Sequence, residues 1–250
     1  MGFFGNSYVE NIGIGTNVFF ANNSMGNLFA NCSNFNGQIN IKNTVTNIYQ
    51  ILYGCKKFNR PVEIPNSVIN MGRAFYSASN FNQPLSIPNS VKDMSYALGG
   101  ATKFNQPIDI PGSVKNVTGC FNQCFAFNQP VNIPDSVKEA GMIFSNCYNM
   151  NSPVIFGNGV TAIAGAFANC NNFSSDISIL SKNVTSARIM LTGRVRNNSK
   201  RVNIHVPAGS TTYNTMLVNT SDSVVGSSIS WSGSSYKYNS QWNIYIYPDL

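Results

Sequence analysis

The sequence has little charge and almost no histidine. Of its 250 residues only 10% are charged, with nine acidic residues and one histidine, whereas roughly a quarter of the residues of ordinary soluble proteins are charged. Acid–base catalysis and metal binding draw mostly on His, Asp and Glu. The shortage therefore predicts a protein that is not an enzyme and that holds no metal and no cofactor.

Long apolar runs and an export signal are also missing. No apolar run of about 18 residues occurs, the length that indicates a transmembrane helix, so we expect no membrane insertion. The first residues lack a basic segment followed by an apolar stretch, and so they predict no secretory signal peptide.

The formal net charge of +7 is concentrated in one segment. Arg188, Arg194, Arg196, Lys200 and Arg201 lie close together with no acid between them, and the rest of the chain is nearly neutral. This segment has no interleaved aromatic residues and no nucleic-acid-binding motif. Nucleic acid is therefore not expected as a partner.

A repeat of 23 residues organises the chain. Its clearest mark is a large apolar residue, here called the anchor, which recurs without insertions. The anchors are Phe35, Phe58, Phe81, Phe104, Phe127, Met150 and Phe173. One period before Phe35, Ile12 indicates a degenerate first copy. A constant period is typical of solenoids, in which each copy forms the same structural unit and packs against its neighbours.

Each copy predicts a strand followed by a turn and a short helix. The fourth and sixth residues after the anchor are apolar, as at 62–64, and this alternation indicates a strand with one buried face. A Pro-Asn-Ser turn follows at 65–67. Apolar residues then recur three or four apart, which predicts a helical or 3₁₀ segment. The predicted fold is an α/β repeat: a leucine-rich-repeat-like solenoid with one parallel sheet, short helical turns and a β-rich C-terminal cap.

The repeat resembles a known family. One copy carries Ile64-Pro65-Asn66-Ser67-Val68, Met71, Ala74-Phe75, Ala78 and Phe81. These residues resemble the BspA-type leucine-rich repeats, and the Phe-Asn-Gln-Pro phrases at 81–84, 104–107 and 127–130 resemble a related bacterial surface-protein repeat. The resemblance covers roughly residues 12–185 and implies a solenoid of a surface or adhesion protein. We expect the chain to depart from that family, because its residues predict no signal sequence, lipid-attachment cysteine or wall anchor, and in this it resembles bacteriophage virion components.

Three parts are predicted along the chain. Residues 1–24 form an N-terminal cap with the degenerate first repeat, and residues 25–200 form a solenoid of seven to eight coils. Residues 201–250, rich in Ser, Thr and Gly, form the β-rich C-terminal cap. A cap is expected there because a solenoid needs its open core covered.

The cysteines predict buried, reduced thiols. Five of the six lie three residues before an anchor, where Ala78 and Ala101 stand in other copies. Exchange with alanine indicates a small core position, although a disulfide between adjacent coils is sterically conceivable. Cys120 and Cys124 are one helical turn apart without a histidine partner, so zinc is not predicted.

Polar residues also form columns, meaning residues at the same place in successive copies. An asparagine follows most anchors, which predicts a ladder that satisfies backbone groups of adjacent coils. Lys92, Lys115 and Lys138 form a second column, which is read either as a solvated face or as a stripe for an anionic ligand. Glu63 and Asp109 share a third column at a separation near that of an inverting glycosidase pair. With Ser86 between them on an open face, two solvated acids are favoured.

Only the C-terminal region combines Trp, Tyr and Arg, the residues that dominate binding hot spots. His205, the single histidine, is read as a surface or cap residue. The predicted partner-binding residues are Arg188, Arg194, Arg196, Tyr236, Tyr238, Tyr245 and Tyr247.

The first functional hypothesis is a non-catalytic bacteriophage virion component of a tail, fibre or capsid surface. Its partners would be other virion proteins or a host-surface protein or glycan. The alternative is a BspA-like bacterial surface adhesin, located at the cell surface instead of the virion. Assembly into a homo-oligomer is left open.

Overall fold

The computed structural model describes residues 23–186 and 202–208 in full, and the backbone of three further strands between 229 and 247. The chain winds into coils in which each residue lies beside the one a full repeat later. An unbroken row of parallel bridges joins these coils. It runs through Ser24, Asn47, Asn70, Asp93, Asn116, Glu139, Ala162 and Ser186. The predicted repeat solenoid is therefore confirmed.

One seven-stranded sheet lies towards the C-terminal end. Its strands are β1 (Val131–Ile133), β2 (Val154–Phe156), β3 (Asp176–Ile179), β4 (Val202–His205), β5 (Ile229–Trp231), β6 (Lys237–Asn239) and β7 (Ile244–Tyr247). The order is β1-β2-β3-β4-β7-β6-β5. Pairing is parallel from β1 through β4 to β7, and antiparallel from β7 through β6 to β5. The last three strands lie in the segment predicted to be β-rich, while the predicted domain boundaries stay a prediction.

The sheet does not extend through every coil, which corrects the prediction of one continuous sheet. The equivalent extended segments of the four preceding coils make no backbone–backbone hydrogen bonds with each other. These segments are 39–41, 62–64, 85–87 and 108–110. Their apolar residues still face the core, since Leu85 and Ile110 are buried.

Proline at one position explains where the sheet stops. In β1 and β2 the ladder is closed by the N–H of Gly157, which donates to Ile133 O at 2.8 Å. The next coil has the equivalent bond from Leu180 N to Phe156 O, also 2.8 Å. Four earlier copies have proline at this position, and proline has no N–H to donate. Those prolines are Pro65, Pro88, Pro111 and Pro134.

The predicted short helical turns are not shown by the structure. No α-helix forms among the described residues, and none there is long and apolar enough to cross a bilayer. Instead, Arg73 N donates to Ser95 O of the next coil at 2.8 Å, while Ala74 N donates to Met71 O at 3.1 Å. Arg73 and Ser77 have φ of 53° and 57°, left-handed values that interrupt a helix. Bonds to the next coil thus replace helical ones.

Phenylalanine anchors form the centre of the core. Phe58, Phe81, Phe104 and Phe127 are fully buried, and successive ring centroids lie 6.0 Å apart. Fully burying a phenylalanine side chain contributes about 2–3 kcal/mol. Because the same ring recurs in these four successive coils, each of them is held to the next by the same contact.

The asparagine ladder is confirmed. Asn128 N donates to Asn105 Oδ1 at 2.8 Å, and Gln129 Nε2 donates to the same oxygen at 3.2 Å. The same backbone bond is made at each step from Asn36 to Asn151. The side-chain oxygen thus accepts the N–H groups that the coil edge would otherwise leave without a partner.

Candidate partner-binding surfaces

The residues predicted from the sequence as partner-binding are only partly described. Arg188, Arg194, Arg196 and Tyr236 lie outside the described residues. The backbone of the other three lies in β6 and β7. Tyr238 pairs with Tyr245, and Tyr247 pairs with His205 of β4. Their predicted role in binding stays a prediction.

The outward residues of the extended segments form a surface that we call the strand face. Its two acids, Glu63 and Asp109, are not brought together. Asp109 lines a shallow cavity of about 580 Å³ with Ser86 and Gln129. Glu63 lines a separate cavity of about 230 Å³ with Asn66. Nowhere in the described part of the chain do three His, Cys, Asp or Glu side chains gather as metal ligands would. This face offers no pair of carboxylates at one reacting bond.

A group of aromatic side chains lies on the turn segments, and we call Tyr53, Tyr76, Tyr96 and Arg73 the tyrosine strip. The rings of Tyr53 and Tyr76 stack with centroids 5.3 Å apart, and Tyr96 meets Tyr76 edge-on at 6.2 Å. The Arg73 guanidinium carbon lies 5.5 Å from the Tyr96 centroid. All three rings are partly exposed, so the strip combines tyrosine and arginine at the surface.

Glycines make room for the strip. A Cβ at Gly99 would lie 2.9 Å from the Tyr76 ring, and one at Gly119 would overlap the Tyr96 ring. Gly119 also has a φ of 60°, which glycine adopts without strain. Beyond Gly119, the Tyr96 hydroxyl lies 4.0 Å from the sulfur of Met142, whose side chain is 42% exposed.

A second aromatic pair lies on the column two residues before the anchor. Phe125 and Tyr148 stack at 4.8 Å and are 37% and 41% exposed. The interpretation of the sequence missed both aromatic surfaces because it ranked columns by their repetition. The sequence does contain a signal for them, because two aromatic residues lie one period apart in each case. The pairs are Tyr53 with Tyr76 and Phe125 with Tyr148.

The lysine column is a rigid row. Lys115 N donates to Lys92 O and Lys138 N donates to Lys115 O, both at 2.9 Å. All three side chains are exposed. Among the described residues, none of the three side chains forms an ion pair or a hydrogen bond.

The thiols are suited to the core and not to nucleophilic chemistry. All six are buried and free, as predicted. Cys147 Sγ donates to Phe121 O of the preceding coil at 2.9 Å, and three other cysteines make the equivalent bond. Burial raises the pKa of Cys120 and Cys170 to about 12. Since the thiolate is the nucleophile, these groups stay neutral and unreactive.

Comparisons with known proteins support the repeat fold. A search of curated proteins finds no match. Among solved structures, the chain is similar to a leucine-rich repeat protein from Bacteroides ovatus, with a TM-score of 0.52 and 17% identity. The similarity covers 72% of this chain and 51% of that protein, so the chain spans about half of its length. This likeness concerns the fold alone, and it agrees with the predicted BspA-like leucine-rich repeat.

A family model matches the chain four times in overlapping windows. The matches cover residues 14–109, 65–156, 88–179 and 111–205. Each window spans about four of the 23-residue coils, and together they follow the solenoid from its first repeats to β4. Because the matched residues make up more than half of the chain, the protein belongs to the family described as Mycoplasma protein of unknown function, DUF285.

Proposed function

We propose that this protein is a non-catalytic binding protein of the BspA-like type, which presents its solenoid to a large partner at a bacterial cell surface. The observation that carries the proposal is the tyrosine strip. Tyrosine and arginine are enriched where binding energy is concentrated, and here they are held in fixed positions by coil packing. A rigid, partly exposed aromatic surface loses little conformational entropy when it binds.

The strand face supports binding over catalysis. Its cavities are shallow, and the two acids that share a column line different cavities. Burial holds the Cys124 and Cys147 thiols neutral, because it raises their pKa. Leucine-rich-repeat solenoids present extended binding surfaces of this kind.

A cell surface is preferred to a virion as the place of action. The leucine-rich-repeat likeness and the family match both favour the BspA-like alternative. Neither comparison supports a role in a bacteriophage particle. The partner that fits an exposed strip of stacked tyrosines is a host-surface protein or glycan, because tyrosine packs its apolar ring while its hydroxyl stays hydrated.

The place of action is tested with antibodies against the purified protein. They are applied to intact and to permeabilised cells of the bacterium that encodes it, and to phage particles from the same culture. We expect labelling of intact cells. Labelling only after permeabilisation, or only of particles, would overturn the location.

The binding role is tested on immobilised host-surface glycoproteins, before and after glycosidase treatment. A Tyr53→Ser/Tyr76→Ser variant should lose most of the binding. The matched variant Phe125→Ser/Tyr148→Ser removes the other aromatic pair and should bind nearly as well as the parent. Equal loss in both variants would contradict the assignment to the strip, and no binding by the folded parent would contradict the function.

A further inference from the structure

The lysine row is a feature that the fold does not require. The same column has threonine in other coils, at Thr46 and Thr161, and these residues make the same backbone bonds to their neighbours. Like charges directly opposite each other on adjacent strands are destabilising. Three lysines in succession therefore carry an electrostatic cost that, within the described part of the chain, no hydrogen bond or ion pair of their side chains offsets.

No nearby acid forms an ion pair with the row within the described residues. Asp93, next to Lys92, accepts the N–H of Ser95 at 2.9 Å and makes no contact of this kind with a lysine of the row. Glu139, next to Lys138, is exposed and forms no ion pair with it within the described residues. Lys115 has an asparagine, Asn116, as its following residue. The three ammonium groups therefore remain available to an external anion.

Resting on the proposed binding function, we propose that Lys92, Lys115 and Lys138 bind a linear acidic polysaccharide with one carboxylate per sugar unit. Direct backbone bonds between successive lysines set their separation at about one strand spacing, ~4.8 Å. A sugar unit of an extended chain is about as long as that spacing, so the polymer offers one carboxylate for each lysine along the length of the row.

Other linear polyanions fit the row less well. Phosphates of one nucleic-acid strand follow each other at about 3.4 Å along the helix axis. Acidic side chains on one face of an extended peptide are two residues, or about 6.7 Å, apart. The row also continues into Ile69, which bonds to Lys92 through its backbone and is 48% exposed. An apolar side chain there suits the ring of a sugar better than it suits a phosphate.

The experiment compares two triple variants that change the net charge equally. One is Lys92→Thr/Lys115→Thr/Lys138→Thr, which places in the row the residue already found at Thr46 and Thr161. The control is Lys56→Thr/Lys57→Thr/Lys103→Thr, which removes three exposed lysines from other columns. Circular dichroism and thermal unfolding establish that both variants are folded.

Binding to polygalacturonate is measured by calorimetry, with fully methyl-esterified polygalacturonate as the uncharged polymer of the same backbone. We expect the parent to bind only the charged polymer. The row variant should lose roughly tenfold or more in affinity, and its slope of log affinity against log salt should fall by about three. The control should keep its affinity within about twofold of the parent, since isolated surface charges contribute little.

Three results would overturn the inference. Equal losses in both triple variants would mean non-specific attraction by net charge, and unchanged binding in the row variant would place the site elsewhere. Equal or tighter binding of polyglutamate or single-stranded DNA would mean a different polyanion. These results leave the antibody and tyrosine-strip experiments untouched, so failure here is distinguishable from failure of the proposed function.

Discussion

The N–H of Gly157 donates to the carbonyl oxygen of Ile133 at 2.8 Å, and this one bond marks the edge of the sheet. On the C-terminal side the equivalent donor is Leu180. On the N-terminal side the equivalent residue is proline in four successive coils, beginning with Pro134. The coils whose strands pair therefore differ from the coils whose extended segments do not pair by one backbone N–H at this position.

Restoring that hydrogen should extend the sheet by one coil. In Pro134→Ala, we expect the new N–H to donate to Ile110 O and to be protected from hydrogen exchange, like the N–H of Gly157. The net change in stability should be small, because about 1 kcal/mol from the new bond offsets a similar loss of proline rigidity. Exchange measured by NMR tests this.

Pro130→Ala is the matched control. Pro130 precedes β1 and is exposed, so its new N–H should exchange quickly. Fast exchange of residue 134 in Pro134→Ala would mean that proline is not what ends the sheet.

The left-handed residues of the turn segments predict opposite effects at neighbouring positions. Gln123 has a φ of 60° and is exposed, so Gln123→Gly should raise the free energy of unfolding by about 1 kcal/mol through relief of strain. Gly119 has the same φ, and Gly119→Ala should lower stability by about 1–3 kcal/mol. Urea unfolding measures both changes.

The position of the Tyr96 ring is a second readout. It separates the local effect of Gly119→Ala from a general loss of stability. The added methyl of Gly119→Ala overlaps that ring, so tyrosine fluorescence and binding through the tyrosine strip should change with it. Gln123→Gly should leave both unchanged. Equal destabilisation by the two substitutions would contradict the role assigned to the left-handed backbone.

Structural features that recur at the same position of every coil are predicted well from the sequence. The burial of Phe81 and Phe104 follows from the constant period, because residues in one column share one environment. The pairing of strands was not predictable in the same way, since it depends on a donor in the following coil. Spacings of three and four are shared by helices and by the observed turns, in which N–H groups such as that of Ala74 bond three residues back. Bonds to the next coil then decide against the helix.

The tyrosine strip shows the second limit of the repeat pattern. Tyr53 and Tyr76 share a column with Gly99, so the column does not have one type of side chain throughout. Only the three-dimensional structure shows that the glycine provides the space into which the preceding tyrosine leans. The strip thus lies where the columns vary, and the constant period alone does not reveal it.

The buried thiols predict a fall in stability at alkaline pH. An unfolded cysteine ionises near pH 8.5, whereas burial keeps the folded Cys147 protonated by raising its pKa well above that range. Between these two values only the unfolded state releases the proton, so each such thiol lowers stability by about 1.4 kcal/mol per pH unit. Below pH 8 the thiols make no difference to the pH dependence.

Cys147→Ala isolates one thiol, since Ala78 and Ala101 show that the column accepts alanine. In urea unfolding between pH 7 and about 10.5, the free energy of unfolding should decline less steeply with pH than in the parent. The difference in slope should equal the contribution of one thiol. The other residues are the same in both proteins, so their contributions cancel in the comparison. Parallel stability curves would contradict the burial-induced shift.

The asparagine ladder should tolerate loss of its amide nitrogen but not of its oxygen. Asn105→Ala removes the acceptor of the Asn128 N–H, while Gln129 Nε2 keeps its bond to the backbone oxygen of Asn105 at 3.2 Å. Loss of one such hydrogen bond costs about 1 kcal/mol. Asn105→Asp retains an accepting oxygen and should cost much less at neutral pH, with the difference between the two variants shrinking as the carboxylate is protonated.

Asn132→Ala is the control, because Asn132 is exposed in the middle of β1 and its side chain makes no hydrogen bond within the described residues. Urea unfolding in which Asn105→Ala and Asn132→Ala lose equal stability would show that the ladder does not join the coils.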